Sequence, residues 1–145
     1  MRTRWLAFGF LAGALSFLVF HQGGIALLHA MNVVPRAPYS MAPTQPFGVP
    51  QMWSLAFWSG MWGLVFAALA LRMQGARLIL AALVFGAVLP TLVGWFVVAP
   101  LRGQPVANGF VLSRMWIGPL VNGIWGLGTG IFLALLTRAG FRRRA

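Results

Sequence analysis

The sequence predicts an all-α fold, an integral membrane four-helix bundle made from a duplicated two-helix unit in parallel repeat, and three observations lead there. The 145 residues hold no Asp or Glu, and all 11 basic Lys/Arg positions are Arg. The chain is 60% hydrophobic, with a mean hydropathy of +0.85. Four uncharged apolar stretches each reach the roughly 20 residues that a helix needs to cross a bilayer. A nucleic-acid binder could share the net charge of +11, but it needs a solvated polar surface that this composition does not supply. No nucleic-acid partner is expected. With no carboxylate side chain to pair with, the arginines are expected at the membrane boundary, with anionic lipid phosphates as counter-ions.

The spans are expected at about residues 5–30, 52–71, 78–99 and 116–136 of a single transmembrane domain, 1–145. The first follows Arg2 and Arg4 as a signal peptide would. Its apolar run is too long for an ordinary h-region and no small-x-small cleavage site follows, so it is read as a retained span. After it, residues 32–51 (NVVPRAPYSMAPTQPFGVPQ) carry five of the nine prolines. Proline fixes φ, removes a donor and pushes the preceding residue out of the helical region, so this Pro-rich external loop is expected to be extended and turn-rich. The connection between spans three and four, residues 101–114, is shorter and poorer in proline.

Arginine placement sets the orientation. Arg2, Arg4, Arg72, Arg77, Arg138, Arg142, Arg143 and Arg144 fall on one side, against Arg36, Arg102 and Arg114 on the other. The positive-inside rule then places both termini in the cytoplasm of a multi-pass protein of the bacterial inner membrane. Trp5 suits the inner aromatic belt, and Trp53 and Trp116 the outer one.

A shift of 63 residues lays residues 47–64 over residues 110–127 with seven identities in eighteen positions. They include Met52/Met115, Trp53/Trp116, Gly60/Gly123, Trp62/Trp125 and Gly63/Gly126, a pattern of paired Trp and Gly that apolar composition alone seldom produces. Gly13 and Ala14 fall over Gly86 and Ala87 at a different offset, because the first half carries the proline loop as an insertion. A repeat of two spans enters the membrane the same way each time, which puts a pseudo-twofold axis along the membrane normal.

Helices in lipid associate where small residues let backbones approach. Gly9 and Gly13 in span one, Gly63 in span two, Gly86 and Gly94 in span three, and Gly126 and Gly130 in span four lie on four-residue stripes and are expected to be helix-packing positions. Pro90, between Gly86 and Gly94, is expected to kink span three and release a carbonyl near Gly86.

Few polar side chains lie at depth, and intramembrane ionisable groups often mark pathways. The candidate polar site comprises His21, Asn122 and Pro90. His21 is about 80° around an ideal helix from Gly13, so it is expected to face the bundle and either serve a proton or solute path or donate to a backbone carbonyl or Asn122. No cofactor is expected. The chain has no Cys, and its two histidines, His21 and His29, lie about 12 Å apart along one helix, so they cannot be the two axial ligands of one haem or complete a zinc site.

The run HQGGIALLHAMNVVPRAPYS, with PFGVP and the two G-x-W-G-L segments, resembles small four-span proteins of bacterial inner membranes. The resemblance implies class and location only. The sequence lacks the first-span carboxylate of small multidrug exporters and the glycine-asparagine signature of fluoride channels. With no acid, thiol or catalytic motif, the expectation is a non-catalytic scaffold or accessory subunit that acts by helix packing and loop-mediated association, as a homo-oligomer or within a membrane complex. A small channel or transporter with a path along the pseudo-twofold axis is the alternative.

Overall fold

Without interior breakers strong enough to end them, the apolar runs fold into four helices long and apolar enough to cross a membrane: α1 (Thr3–Ala30), α2 (Gln51–Leu69), α3 (Gly75–Leu101) and α4 (Leu112–Arg138). They come from a computed structural model that describes the backbone of residues 2–142 and the side chains of residues 3–138. The side chains of Arg2, Arg142, Arg143 and Arg144, four of the cations used to orient the chain, lie outside that description. α3 begins at Gly75 rather than near Leu78, and α4 opens with a short helical piece, Leu112–Met115, that a turn at Trp116 divides from its long part.

Two helix ends close in the same way. Val33 N–H donates to the Leu28 carbonyl and Asn32 N–H to that of His29, with Asn32 left-handed at φ 58°. Gln104 and Gly103 make the same pair of bonds to Ala99 and Pro100, with Gly103 at φ 66°. Both are Schellman caps, in which one left-handed residue lets the last carbonyls find donors.

The proline loop after α1 is tied down. Its short antiparallel ladder pairs Pro43 with Pro50 and Thr44 with Val49. Val34 packs on a small cluster of Ile25, Leu28 and Val121 at that end of the bundle. Tyr39 N–H donates to Oε1 of the buried Gln22 at 2.8 Å, and its hydroxyl donates to the Leu18 carbonyl at 3.0 Å. Tyr39 and Gln22 therefore clasp the loop onto the side of α1.

The helices meet at two close crossings. In the first, α1 runs antiparallel to α2, and a Cβ added at Gly13 would collide with the Ser59 carbonyl oxygen and lie 2.9 Å from the Gly63 Cα. In the second, α3 runs antiparallel to α4, and a Cβ at Gly86 would collide with the Asn122 carbonyl oxygen and lie 2.8 Å from the Gly126 Cα. Gly9 sits on Gly63 and Ala67 in the first crossing, and Gly130 on Ile79 and Ala82 in the second. Only hydrogen side chains leave room for such contacts. Gly94 departs from the expected stripe: an added Cβ there would meet nothing within 4 Å.

α1 and α4 form the seam between the two pairs. Trp125, 3% exposed, donates its indole N–H to the Gly13 carbonyl at 2.9 Å, while its own carbonyl accepts from Ser16 Oγ at 2.5 Å and Thr129 Oγ1 at 2.9 Å. Each bond contributes about 1 kcal/mol net, and leaving a buried indole N–H unpaired costs about 1 to 3 kcal/mol. α2 and α3, although joined by a short link, meet chiefly through aromatic edges, with Phe66 and Trp62 both against Phe85. The core that unites all four helices includes Phe17, Phe66, Phe85, Trp125 and Leu133.

Gly126→Leu is expected to lower the melting temperature in detergent sharply, because overpacking a filled interface costs about 1 to 3 kcal/mol. Leu135→Ile, at a side chain 54% exposed on the same helix, is expected to leave it unchanged. Equal melting of Gly126→Leu and the parent protein would remove α3–α4 contact as the reason for that glycine.

Candidate functional site

A concavity opens beside the Pro90 stretch of α3. Pro90 has no N–H to donate within its helix, and one turn later residues Gly94–Val98 form a π-helical turn, which inserts one extra residue and rotates the remainder of α3. Gly94 leaves open space on the α3 side, while Gly118 of α4 lies close against Thr91 and Trp95. A cavity of about 510 Å³ results, lined by Pro90, Thr91, Gly94 and Trp95 of α3, Arg114, Ile117, Gly118 and Asn122 of α4, Asn108, and Val33, Val34 and Pro35 of the proline loop.

Its polar groups are set by local structure. Asn122 Nδ2 donates to Thr91 Oγ1 at 2.9 Å, joining α3 to α4 behind the cavity, and Thr91 is only 3% exposed. Asn108 sits in a run of four left-handed residues, Ala107 (φ 49°), Asn108 (φ 56°), Gly109 (φ 69°) and Phe110 (φ 58°). Outside glycine this conformation costs about 1 to 2 kcal/mol per residue, and the completely buried Ala107 is the anchor that holds the run in place. On the other wall, His29 Nδ1 lies 3.1 Å from the Val34 carbonyl. A carbonyl only accepts, so Nδ1 carries the proton, and the imidazole sets the path of the loop across the cavity mouth.

The candidate residues thus divide. Pro90 and Asn122 share the cavity, with Thr91 between them in the bonding pattern. His21 is not among its lining residues. It ends the π-helical turn Phe17–His21, its ring 5.1 Å from that of Phe17, and its buried Nδ1 has no hydrogen-bond partner. Neither expected donation, to a backbone carbonyl or to Asn122, is made by Nδ1, and the Asn122 amide nitrogen bonds to Thr91 instead. The π-turn changes the even angular step from which the direction of His21 is projected.

Residue spacing does not single out Trp95, Gly118, Asn108 or Arg114 as site residues. The signal for Asn108 is the Asn-Gly pair, a strong turn marker. No sequence signal brings Arg114 beside it. Arg36, next in the chain to the cavity residue Pro35, has its pKa lowered from the ordinary value by burial and then by the neighbouring Arg102, yet a guanidinium remains charged throughout the working range.

No family model matches this chain, and neither the curated proteins nor the solved structures contain a match.

His21→Leu is expected to keep or raise the melting temperature in detergent, since replacing a partnerless buried nitrogen with an apolar group of similar size removes a desolvation penalty. A clear loss of stability would show that the imidazole holds a partner through its other nitrogen.

Proposed function

We propose that this is a multi-pass protein of the bacterial inner membrane, with both termini in the cytoplasm, that works without catalysis as a scaffold or accessory subunit. Large apolar side chains are exposed on every helix, among them Leu11 and Val19 on α1, Phe57 and Trp58 on α2, Val84 and Phe96 on α3, and Leu135 on α4. A protein in water rarely displays so continuous an apolar surface, whereas lipid tails solvate it. The matching contacts at Gly13 and Gly86 support an origin by duplication, with the two crossings as its repeated unit.

The filled centre is the observation that favours a packing role over a path. Phe66, Phe85, Trp125 and Leu133 occupy the middle of the bundle, where a route along a pseudo-twofold axis would have to run. The clasped proline loop offers the association surface: Phe47, 87% exposed, stands at the turn of its ladder, with Met41 and Val49 also exposed nearby in sequence. A preformed loop loses little entropy on docking.

Two measurements test this reading. The chain has no cysteine, so single substitutions report cleanly: Ser40→Cys is expected to label with an impermeant thiol reagent in intact cells, and Gln74→Cys only after lysis. Labelling of Gln74→Cys from outside would invert the topology. In liposomes, the protein alone is expected to carry no solute, and in mild detergent it is expected to purify as a defined oligomer or with a stoichiometric membrane partner. Flux by the protein alone would favour the transport reading.

A further inference from the structure

Three arginines, Arg36, Arg102 and Arg114, lie at the proline-loop end of the fold, in a chain with no carboxylate side chain to neutralise them. Arg114 lines the cavity with Asn108, and the Asn122–Thr91 pair adds polar atoms to the same wall. Arg36 follows Pro35 in the chain but lines a separate cleft with Gln22 and Ser40, where Arg102 disfavours its charge. The cavity is thus lined by one cation, Arg114, with no carboxylate side chain in the sequence to pair with it. A guanidinium offers paired donors in a plane, which suits a phosphate, and an Asn amide adds two more. The opposite surface, from Trp95 and Val34, is apolar.

We infer that this cavity is a binding site for a phosphate ester, with Arg114 and Asn108 holding the phosphate and the Trp95–Val34 surface taking the group it esterifies. The apolar wall, at the end of spans that face lipid, makes an anionic phospholipid the source that fits best. The site adjoins the Gly86–Gly126 crossing at Asn122 and does not depend on a scaffold role. A left-handed loop that holds Asn108 at the mouth gives its strain a purpose, because an amide placed there needs no reorganisation when the ligand arrives.

The test uses the full chain in neutral detergent with Val33→Cys, a cavity-lining residue 37% exposed, as the reporter. Alkylation of that thiol is followed with phosphatidic acid, with a diacylglycerol of the same chains, and with glycerol phosphate. Phosphatidic acid is expected to slow alkylation and diacylglycerol to leave it unchanged. Protection by glycerol phosphate as well would assign the same phosphate site to a soluble ester, and its absence would assign the site to lipid. Adding Arg114→Gln is expected to raise the half-protecting concentration by about tenfold or more, the loss of a charge-assisted hydrogen bond. Asn108→Gly, which keeps the left-handed backbone without strain, is expected to weaken protection in the same direction, and Arg77→Gln at the far end is expected to have no effect. Equal protection by diacylglycerol, or full protection retained in both Arg114→Gln and Asn108→Gly, would overturn the assignment.

Discussion

Everything in this fold depends on the distance at which two helix backbones can meet. For a bundle in lipid, as proposed, burying Leu against Leu gains little over leaving it exposed to lipid tails, so the helices need contacts that lipid cannot imitate. Glycine supplies them. At Gly13 on Gly63, and at Gly86 on Gly126, the Cα of one helix reaches the backbone of the next, and dispersion between closely approached chains does the holding. The two antiparallel pairs are the most closely packed units of the molecule.

What joins the pairs is less even. Trp62 and Trp125 occupy matching places under the 63-residue shift, but only Trp125 is inserted into a seam, where its indole N–H finds the carbonyl of Gly13. Trp62 is partly buried and lies edge-on to Phe85 at 5.9 Å. The seam between α1 and α4 is therefore closed by hydrogen bonds and that between α2 and α3 by aromatic contact. The cavity opens where a third condition holds: a proline, a π-turn and one glycine without close packing, Gly94, mark the part of α3 that faces the start of α4.

Much of this was legible in the chain. Four apolar runs gave four helices, and the four-residue spacing of Gly9, Gly13, Gly63, Gly86, Gly126 and Gly130 named positions that now lie at the crossings. Spacing failed at Gly94, which follows Pro90 by one turn, opens a π-helical turn and would meet nothing with an added Cβ. His21 ends a second π-helical turn, in which the extra residue alters any ideal projection. The partnership of Asn122 with Thr91 required the register of α3 on α4, and the placing of Asn108 on the same cavity as Arg114 required a left-handed loop. Neither is written in residue spacing.

The most direct test adds one methyl group at four glycines and measures thermal melting in detergent. Gly13→Ala and Gly86→Ala place a Cβ against backbone atoms, whereas Gly23→Ala and Gly94→Ala place it in open space. In open helix positions alanine is favoured over glycine by about 1 kcal/mol. The account predicts that Gly13→Ala and Gly86→Ala both lower the melting temperature, by similar amounts, while Gly23→Ala and Gly94→Ala hold or raise it. Four variants that melt alike would contradict the claim that close backbone approach at two equivalent crossings holds this protein together.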